Sequence, residues 1–590
     1  MDEILEIIHQ DEDKNHGDVI IIPPDVDGLT DHEDFEDEGE TGEAIIQDVP
    51  GTLELHTDHE IGENADMNEE TAVSPLTTTN RRKKRKLCDS VPNWRYTEPQ
   101  YTKVKERVAS YSDHMKKMKE DLQFLTPVEL FEQLLTPDIY DHIVKETVRY
   151  ASTYKNNMDF ILSVDELKAF VGILLFSSYH KVPSERSYWS NDEDLGVSIV
   201  KNAMARNRFQ MIKNYVHFTD NATAQEHTQD RGFKIRPLIT MLQESFRKFG
   251  VFEENLSVDE MIVRYYGHNT LKQFMRGKPI RFGYKFWALC GVSGYCYNFD
   301  LYCGKGSANE ENSDLLLGSK VVLNMLSVID NPFSYNVYFD NLFTDYALLV
   351  HLRNLGFNAT GTMRENRISK CPLKESNAMQ KEPRGTYDYR FDRNEEILIV
   401  KWVDNKCVTI GTNHDTVQPV KNVQRWRRES KSKGNVPQPN VLHHYNMNMG
   451  GVDKHDWFAG KYSITIKGKK WYWNLFIRLL DMTMINAWIV HRMVHGSDQL
   501  SMTLLEFKRQ VCIAYIKGSK TRTALGKKKT SGPPTTPSDV RFDNKGHFLE
   551  KRGEQRRCQN KPCSSKPRTY CKKCTVTLCV ECFVPYHSKE

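Results

Sequence analysis

The chain ends in the pattern H-x10-CQNKPC-x7-CKKC-x4-CVEC-x4-H, from His547 to His587. Paired thiols two to four residues apart suit tetrahedral Zn²⁺, and so short a segment folds only with metal. Two ions need eight ligands. Cys558, Cys563, Cys571, Cys574, Cys579, Cys582 and His587 supply seven, and His547 is the choice for the eighth. A cross-brace places Cys558, Cys563, Cys579 and Cys582 on one ion, and Cys571, Cys574, His587 and His547 on the other. A second chemistry is suggested by acids. The string LSVDE occurs twice. At Leu162–Glu166 it runs into LKAFVGILLF, where Ser163 and Glu166 suit a helix capping box. At Leu256–Glu260 it runs into MIVRYYG, which reads as strand, where nothing needs capping. That leaves Asp259 in want of a role. Asp340 closes YNVYFD, and MGGVDKHDW carries Asp453 and Asp456, three apart and on one face of a helix. Carboxylates brought together repel unless cations lie between them. Mg²⁺ prefers hard oxygens, and two such ions about 4 Å apart support phosphoryl transfer. Taken singly, each Asp is also suited to a turn or a helix cap. Glu260, next to Asp259, points to the opposite sheet face.

The elements that must position these acids follow from periodicity. Segments such as TPVELFEQLL, IYDHIVKETVRYA, NRFQMIKNYVHF and RPLITMLQESFRKFG space apolar residues three and four apart and read as helices. Three strands (LSVDEMIVRYYG, YKFWALCGV, GYCYNFDLYCG) then precede a helix, the strand YNVYFD, the helix TDYALLVHLRNLG and the strand FNATGTM. This is the order of an RNase H-like α/β core, in which the first and fourth strands lie side by side and bring Asp259 near Asp340. Shorter strands (GTYDYRF, EEILIVKWV, KCVTIGT) and the basic run VQRWRRESKSKG interrupt that core, and helical spacing resumes after GGVDKHD. The resulting division is 1–80 acidic and disordered, 81–109 basic linker, 110–250 helical, 251–365 catalytic core, 366–440 β-rich insertion, 441–460 completion of the core, 461–520 helical, 521–546 flexible basic linker and 547–590 zinc-binding.

Charge is divided sharply. Residues 1–80 hold 25 Asp and Glu against the single basic residue Lys14, so the remainder carries a net +26. Such an acidic start cannot bury enough apolar surface to order itself, and the basic, aromatic-rich body suits a polyanionic partner or screening by its own tail. The run RRKKRK at 81–86 reads as a nuclear-import signal, and hence importin and the nucleus, or as a phosphate-contacting arm. No apolar run reaches the roughly 20 residues of a membrane span. Basic segments that interleave aromatics are candidates for DNA: Arg276, Lys278, Arg281 and Lys285; Arg425, Trp426, Arg427 and Arg428; Lys469 and Lys470. Trp473, which opens an apolar helix, is assigned to the core.

The motifs SVDEMIVRYYG, RGKPIRFGYKFW, YFDNLFT, GFNATGTMREN and YNMNMGGVDKHD resemble the piggyBac transposases, the element-derived members most closely, from residue 110 to the C-terminus. The resemblance implies a cut-and-paste DNA transposase with an Asp-Asp-Asp site for two Mg²⁺. Matched by motif, its acids are Asp259, Asp340 and Asp453, with Asp456 at a further acidic position that often follows. It also implies cleavage at terminal inverted repeats of double-stranded DNA through a hairpin and joining into TTAA targets, all by in-line displacement at phosphorus. A homodimer, a helical DNA-binding and dimerisation domain, an inserted domain and a zinc tail on element-end DNA complete the implication. The first cysteine pair is spaced more widely than is common in relatives. The alternative is a domesticated DNA-binding or chromatin protein that keeps the core as scaffold. An RNase H-like nuclease without strand transfer leaves the tail and insertion unexplained.

Overall fold

A computed structural model describes residues 18–22, 52–56, 91–102, 110–225, 230–275, 280–304, 315–427, 431–496, 501–518, 541–542 and 546–588. The chain divides into two units, Met1–Thr521 and Arg522–Glu590. Among the described residues no helix is long and apolar enough to cross a membrane.

Most of the acidic region and the run at 81–86 lie outside the described residues. Within that region β1 (Asp18–Ile22) and β2 (Thr52–His56) pair antiparallel. DVIII and TLELH are locally apolar although their surroundings are acidic. Next come β3 (Trp94–Arg95) and the helices α1 (Ser110–Leu122), α2 (Pro127–Leu134), α3 (Pro137–Lys155), α4 (Val164–Phe176), α5 (Ser198–Ala203), α6 (Arg206–Tyr215) and α7 (Arg236–Phe246). Thr126 starts α2 with a full capping box. Its Oγ1 accepts from the Glu129 N–H at 3.3 Å and the Glu129 carboxylate accepts from the Thr126 N–H at 2.8 Å, worth roughly 1 kcal/mol. The box expected at Ser163 is only half made. Ser163 Oγ accepts from the Glu166 N–H at 3.1 Å, but the Glu166 carboxylate is taken by both arms of Arg208 at 2.5 and 2.6 Å. A bidentate guanidinium outcompetes a single neutral amide.

The core is one mixed sheet. It is built from β4 (Asn255–Arg264), β5 (Gln273–Phe274), β6 (Phe282–Gly291), β7 (Cys296–Leu301), β8 (Asn336–Phe339) and β9 (Asn358–Thr362). The helix α8 (Leu317–Leu326) precedes β8, and α9 (Tyr346–Leu355) crosses from β8 to β9. β4, β8 and β9 are parallel neighbours, while β6 lies antiparallel on the other flank of β4 and carries β7.

Residues 366–440 do not form a sheet of their own. After the short helix α10 (Ser376–Met379), the strands β10 (Tyr387–Asp392), β11 (Ile397–Val403) and β12 (Cys407–Thr412) extend the same sheet, since Thr412 pairs with Thr360 of β9. The full order is β3-β10-β11-β12-β9-β8-β4-β6-β5. Strand β11 is buried on both faces. Leu398, Val400 and Trp402 enter a second cluster with Val436 and Leu442, whereas Ile397 and Ile399 join the main core. The outer edge is closed by β3, from a stretch expected to be linker, and Tyr101 Oη donates to the Asp415 carbonyl at 2.7 Å. The basic run is a two-stranded ribbon, β13 (Lys421–Arg427) and β14 (Ser432–Gln438).

Four helices follow: α11 (Asn440–Asn448), α12 (Gly451–Lys461), α13 (Trp473–His495) and α14 (Leu504–Gly518). Helix α13 is buried almost all round. Its Asn486 accepts from the Cys296 N–H at 2.9 Å and donates to the Cys296 carbonyl at 2.8 Å, tying the helix to β7. The helices on both sides of the core share one hydrophobic cluster with the sheet, from Phe131 and Phe170 through Leu256 and Val337 to Leu479 and Val511. The C-terminal unit contains β15 (Leu549–Lys551), β16 (Thr569–Cys571) and α15 (Val580–His587).

Candidate active site and metal centres

The register of the three parallel strands decides where two of the acids lie. Val258 of β4 is paired with Phe339 of β8, so Asp259, within β4, and Asp340, just past the end of β8, lie side by side. Asp259 is buried and its Oδ1 accepts from the Glu260 N–H at 2.8 Å. Asp340 begins a tight turn, its Oδ1 accepting from the Leu342 N–H at 2.8 Å and its carbonyl accepting from Thr344 Oγ1 at 2.7 Å. Glu260, on the other face, pairs with Lys285 at 3.7 Å, as strand alternation requires.

Asp453 arrives on α12, pinned to the turn between β6 and β7. A Cβ on Gly451 would meet the Gly291 carbonyl oxygen at 2.4 Å and Ser257 Oγ at 2.6 Å, so only glycine lets the helix approach this closely. Gly294 holds φ +93° in that turn, and its carbonyl accepts from His455 Nδ1 at 2.8 Å. Burial pushes the His455 imidazole pKa down to about 3, with Arg478 adding to the effect. Asp453 itself is exposed.

Tyr445 on α11 shows how the acids converge. Burial raises its phenol pKa, and Asp340, Asp259 and Asp453 raise it further, so all three carboxylates stand within electrostatic reach of one hydroxyl. Their oxygens are not all within 4.8 Å of one another. Mutual repulsion opposes tighter approach, and a pair of cations needs room between its ligands. The donor set is all hard carboxylate oxygen and therefore fits Mg²⁺. Asp456 takes another path, forming an ion pair with Arg478 of α13.

Sequence reasoning passed over Tyr445, Thr362 and Arg367. The Arg367 guanidinium donates to the Asn341 and Leu342 carbonyls at 3.1 and 2.9 Å. Burial lowers its pKa against the opposing pull of Asp345 and Asp340. The signal available was the basic pair in MRENR directly after β9.

The DNA candidates separate by burial. Arg281, Lys469 and Trp426 are exposed, the last at 57%. Arg425 shares Asp404 at 3.3 Å, and Arg427 pairs through its backbone with Ser432. Arg276, Lys278 and Arg428 lie outside the described residues. Two candidates point inward instead. Lys285 is buried, with Nζ 4.1 Å from the Trp287 ring centroid and paired to Glu260. Lys470 Nζ donates to the Val216 carbonyl at 2.9 Å and lies 3.1 Å from His217 Nδ1. Each ammonium is held by a buried acceptor beside an aromatic ring, an arrangement that charge counting along the sequence does not reveal.

In the C-terminal unit the ligand groups are Cys558, Cys563, Cys579 and Cys582, and His547, Cys571, Cys574 and His587, the same two sets that the cross-brace requires. Cys579 Sγ lies 3.9 Å from Cys558 Sγ and 3.9 Å from Cys563 Sγ. With Zn–S bonds of about 2.3 Å, a tetrahedron has S···S edges of about 3.8 Å. His547 Nδ1 stands 3.4 Å from Cys571 Sγ and 3.5 Å from Cys574 Sγ, against about 3.5 Å for a mixed N···S edge. His587 Nδ1 donates to the Arg541 carbonyl at 2.9 Å, so Nε2 is the ring nitrogen that would bind a metal. Both groups fit zinc.

A family model described as Transposase IS4 matches residues 126–488. Human PiggyBac transposable element-derived protein 3 is 33% identical over 609 aligned positions, covering 100% of this chain and 99% of that protein. Human PiggyBac transposable element-derived protein 2 is 32% identical over 574, covering 96% and 93%. The cryo-EM structure of a piggyBac transposase synaptic complex with hairpin DNA is similar in fold, with TM-score 0.57 and 19% identity over 77% of this chain and 95% of that one. With the model spanning more than half of the sequence and relatives running its full length, the chain belongs to the piggyBac transposase family.

Proposed function

We propose that this chain is a cut-and-paste DNA transposase that cleaves element ends and joins them into TTAA targets. The observation that carries the reading is the register that sets Asp259 of β4 beside Asp340 at the end of β8, with Asp453 brought up on α12 by the close approach of Gly451 to the sheet. The strand order β9-β8-β4-β6-β7, with β4, β8 and β9 parallel, supports an RNase H-like core beneath that site. Two Mg²⁺, when bound, supply nucleophile activation and stabilise the leaving oxygen. Asp259 and Asp340 present neighbouring carboxylates, and Asp453 closes the third side from α12. Asp456 supports that helix through Arg478 and is not proposed as a ligand. Arg281, Lys469 and the β13–β14 ribbon with Trp426 are proposed contacts to DNA phosphates and bases. The zinc-type unit is proposed to hold Zn²⁺ and to bind element ends. Homodimerisation and nuclear import through the run at 81–86 complete the proposal.

A second reading is a DNA-binding protein that no longer transposes, favoured by relatives whose names call them transposable element-derived. A plasmid excision assay on the inverted repeats flanking the gene separates the two, run with wild type and Asp340→Asn. Excision by the wild type alone supports the enzyme. No excision by either, with binding to the repeats intact, supports the second reading.

A further inference from the structure

Tyr445 has no part in the reading so far, yet its hydroxyl is placed as closely as the acids are. Phe339 of β8 pairs with Gly361 of β9, so Thr362 lies opposite Asp340 on one flank as Asp259 does on the other. Asp259, Asp340 and Thr362 thus form a row across three parallel strands, where β8 and β9 end and β4 runs on. Tyr445 Oη lies 3.4 Å from Thr362 Oγ1, above the end of that row, and Asp453 approaches from the next helix. Its ring packs against the second hydrophobic cluster, which anchors the phenol from behind. Burial first, and then the charges of Asp340, Asp259 and Asp453, raise its pKa, so the hydroxyl keeps its proton and can donate. With cations bound to the carboxylates, the phenol could accept from Thr362 Oγ1 and give its own proton to an anionic phosphate oxygen, and a neutral donor would do so without repelling the cations.

We infer that Tyr445 is a catalytic residue whose hydroxyl donates a hydrogen bond to a non-bridging oxygen of the DNA phosphate held over Asp259, Asp340 and Asp453. The inference rests on the transposase reading. The test uses the full-length, zinc-loaded protein, with Mn²⁺ binding followed by electron paramagnetic resonance. Thymidine 5′-monophosphate is then titrated into the Mn²⁺-loaded protein. Wild type binds Mn²⁺ and Asp340→Asn does not. Tyr445→Phe keeps the ring and is expected to hold Mn²⁺ within about twofold of wild type while its nucleotide affinity falls about tenfold or more, the usual scale for a hydrogen bond to a charged group. A role in packing alone would leave nucleotide affinity unmoved. Nucleotide binding equal to wild type, at equal Mn²⁺ affinity, overturns the inference and leaves the transposase reading standing. A loss of Mn²⁺ affinity in Tyr445→Phe also overturns it, since the phenol would then be building the cation site. If wild type binds no Mn²⁺, the transposase reading falls, and this inference with it.

Discussion

Gly451→Ala tests whether the approach of α12 to the sheet, and not the identity of Asp453 alone, makes the site. The added Cβ would sit 2.4 Å from the Gly291 carbonyl oxygen and 2.6 Å from Ser257 Oγ, and the first of these is backbone that cannot rotate away. Relief needs a shift of about 1 Å in α12 or the β6–β7 turn, at an overpacking cost of about 1–3 kcal/mol. Against this stands the better helix propensity of alanine, about 1 kcal/mol in a helix interior and less at a first turn. The clash therefore wins. The same shift moves Asp453, two residues on, and a misplacement of about 1 Å at a reacting centre is enough for about a hundredfold loss of rate. Gly460→Ala is the control, because a Cβ there meets nothing within 4 Å in the same helix. It should raise the urea midpoint and leave Mn²⁺ affinity and excision unchanged. Gly451→Ala should lower the midpoint, weaken Mn²⁺ binding and cut excision. If Gly451→Ala proves as stable and as competent as Gly460→Ala, the close approach positions nothing and the account of α12 is wrong.

Three further outcomes are expected. Lys508 and Asp481 are a buried pair at 2.9 Å, with Lys508 also donating to the Tyr462 carbonyl at 2.7 Å, so Lys508→Met should cost about 3–5 kcal/mol in urea denaturation; an unchanged midpoint would contradict the pairing. His217 has its pKa pushed down to about 2 by burial and then by Lys470. It folds neutral, so its contribution is present above pH 6.5 and is lost as pH falls toward 2, by about 2 kcal/mol at pH 5. His217→Phe should flatten stability across that window, and an unaltered pH slope would show that the imidazole is not the titrating group. In the C-terminal unit, His547→Ala removes one ligand from one of the two groups. Bound zinc measured by atomic emission after mild chelation should fall from about two ions to about one per chain, and retention of both would exclude His547 as a ligand.

The acids stood out as candidates in the sequence because each stands where local pattern changes. Asp259 lies inside a second copy of a capping-box string that has become strand, Asp340 ends a strand before a helix, and Asp453 begins a helix after paired glycines. The cysteine groups were legible because ligand spacing is itself local. What spacing does not carry is direction across space. Lys285 sits in a stretch rich in basic and aromatic residues, yet β6 is buried on both faces and parity places that lysine beside Trp287 and Glu260. The strands of 366–440 looked like a separate domain because nothing in KCVTIGT declares that its partner is FNATGTM; the pairing of Thr412 with Thr360 is a tertiary fact.

Tyr445 was illegible for a different reason. Val441 and Tyr445 are four apart on α11, a spacing that marks a core face, and the ring does pack against the second cluster. Only its last atom leaves that cluster, to meet Thr362 across from Asp340. An amphipathic side chain can belong to the core by its ring and to the site by its hydroxyl, and sequence periodicity reads the ring alone. The acids avoid this ambiguity, because a carboxylate has no apolar body with which to satisfy a core position. A pattern search therefore finds the charged members of such a site and passes over the neutral donor. The register β4–β8–β9 resolves it, since a single frame of pairing places Asp259, Asp340 and Thr362 in one row, and the Tyr445 hydroxyl meets that row at Thr362.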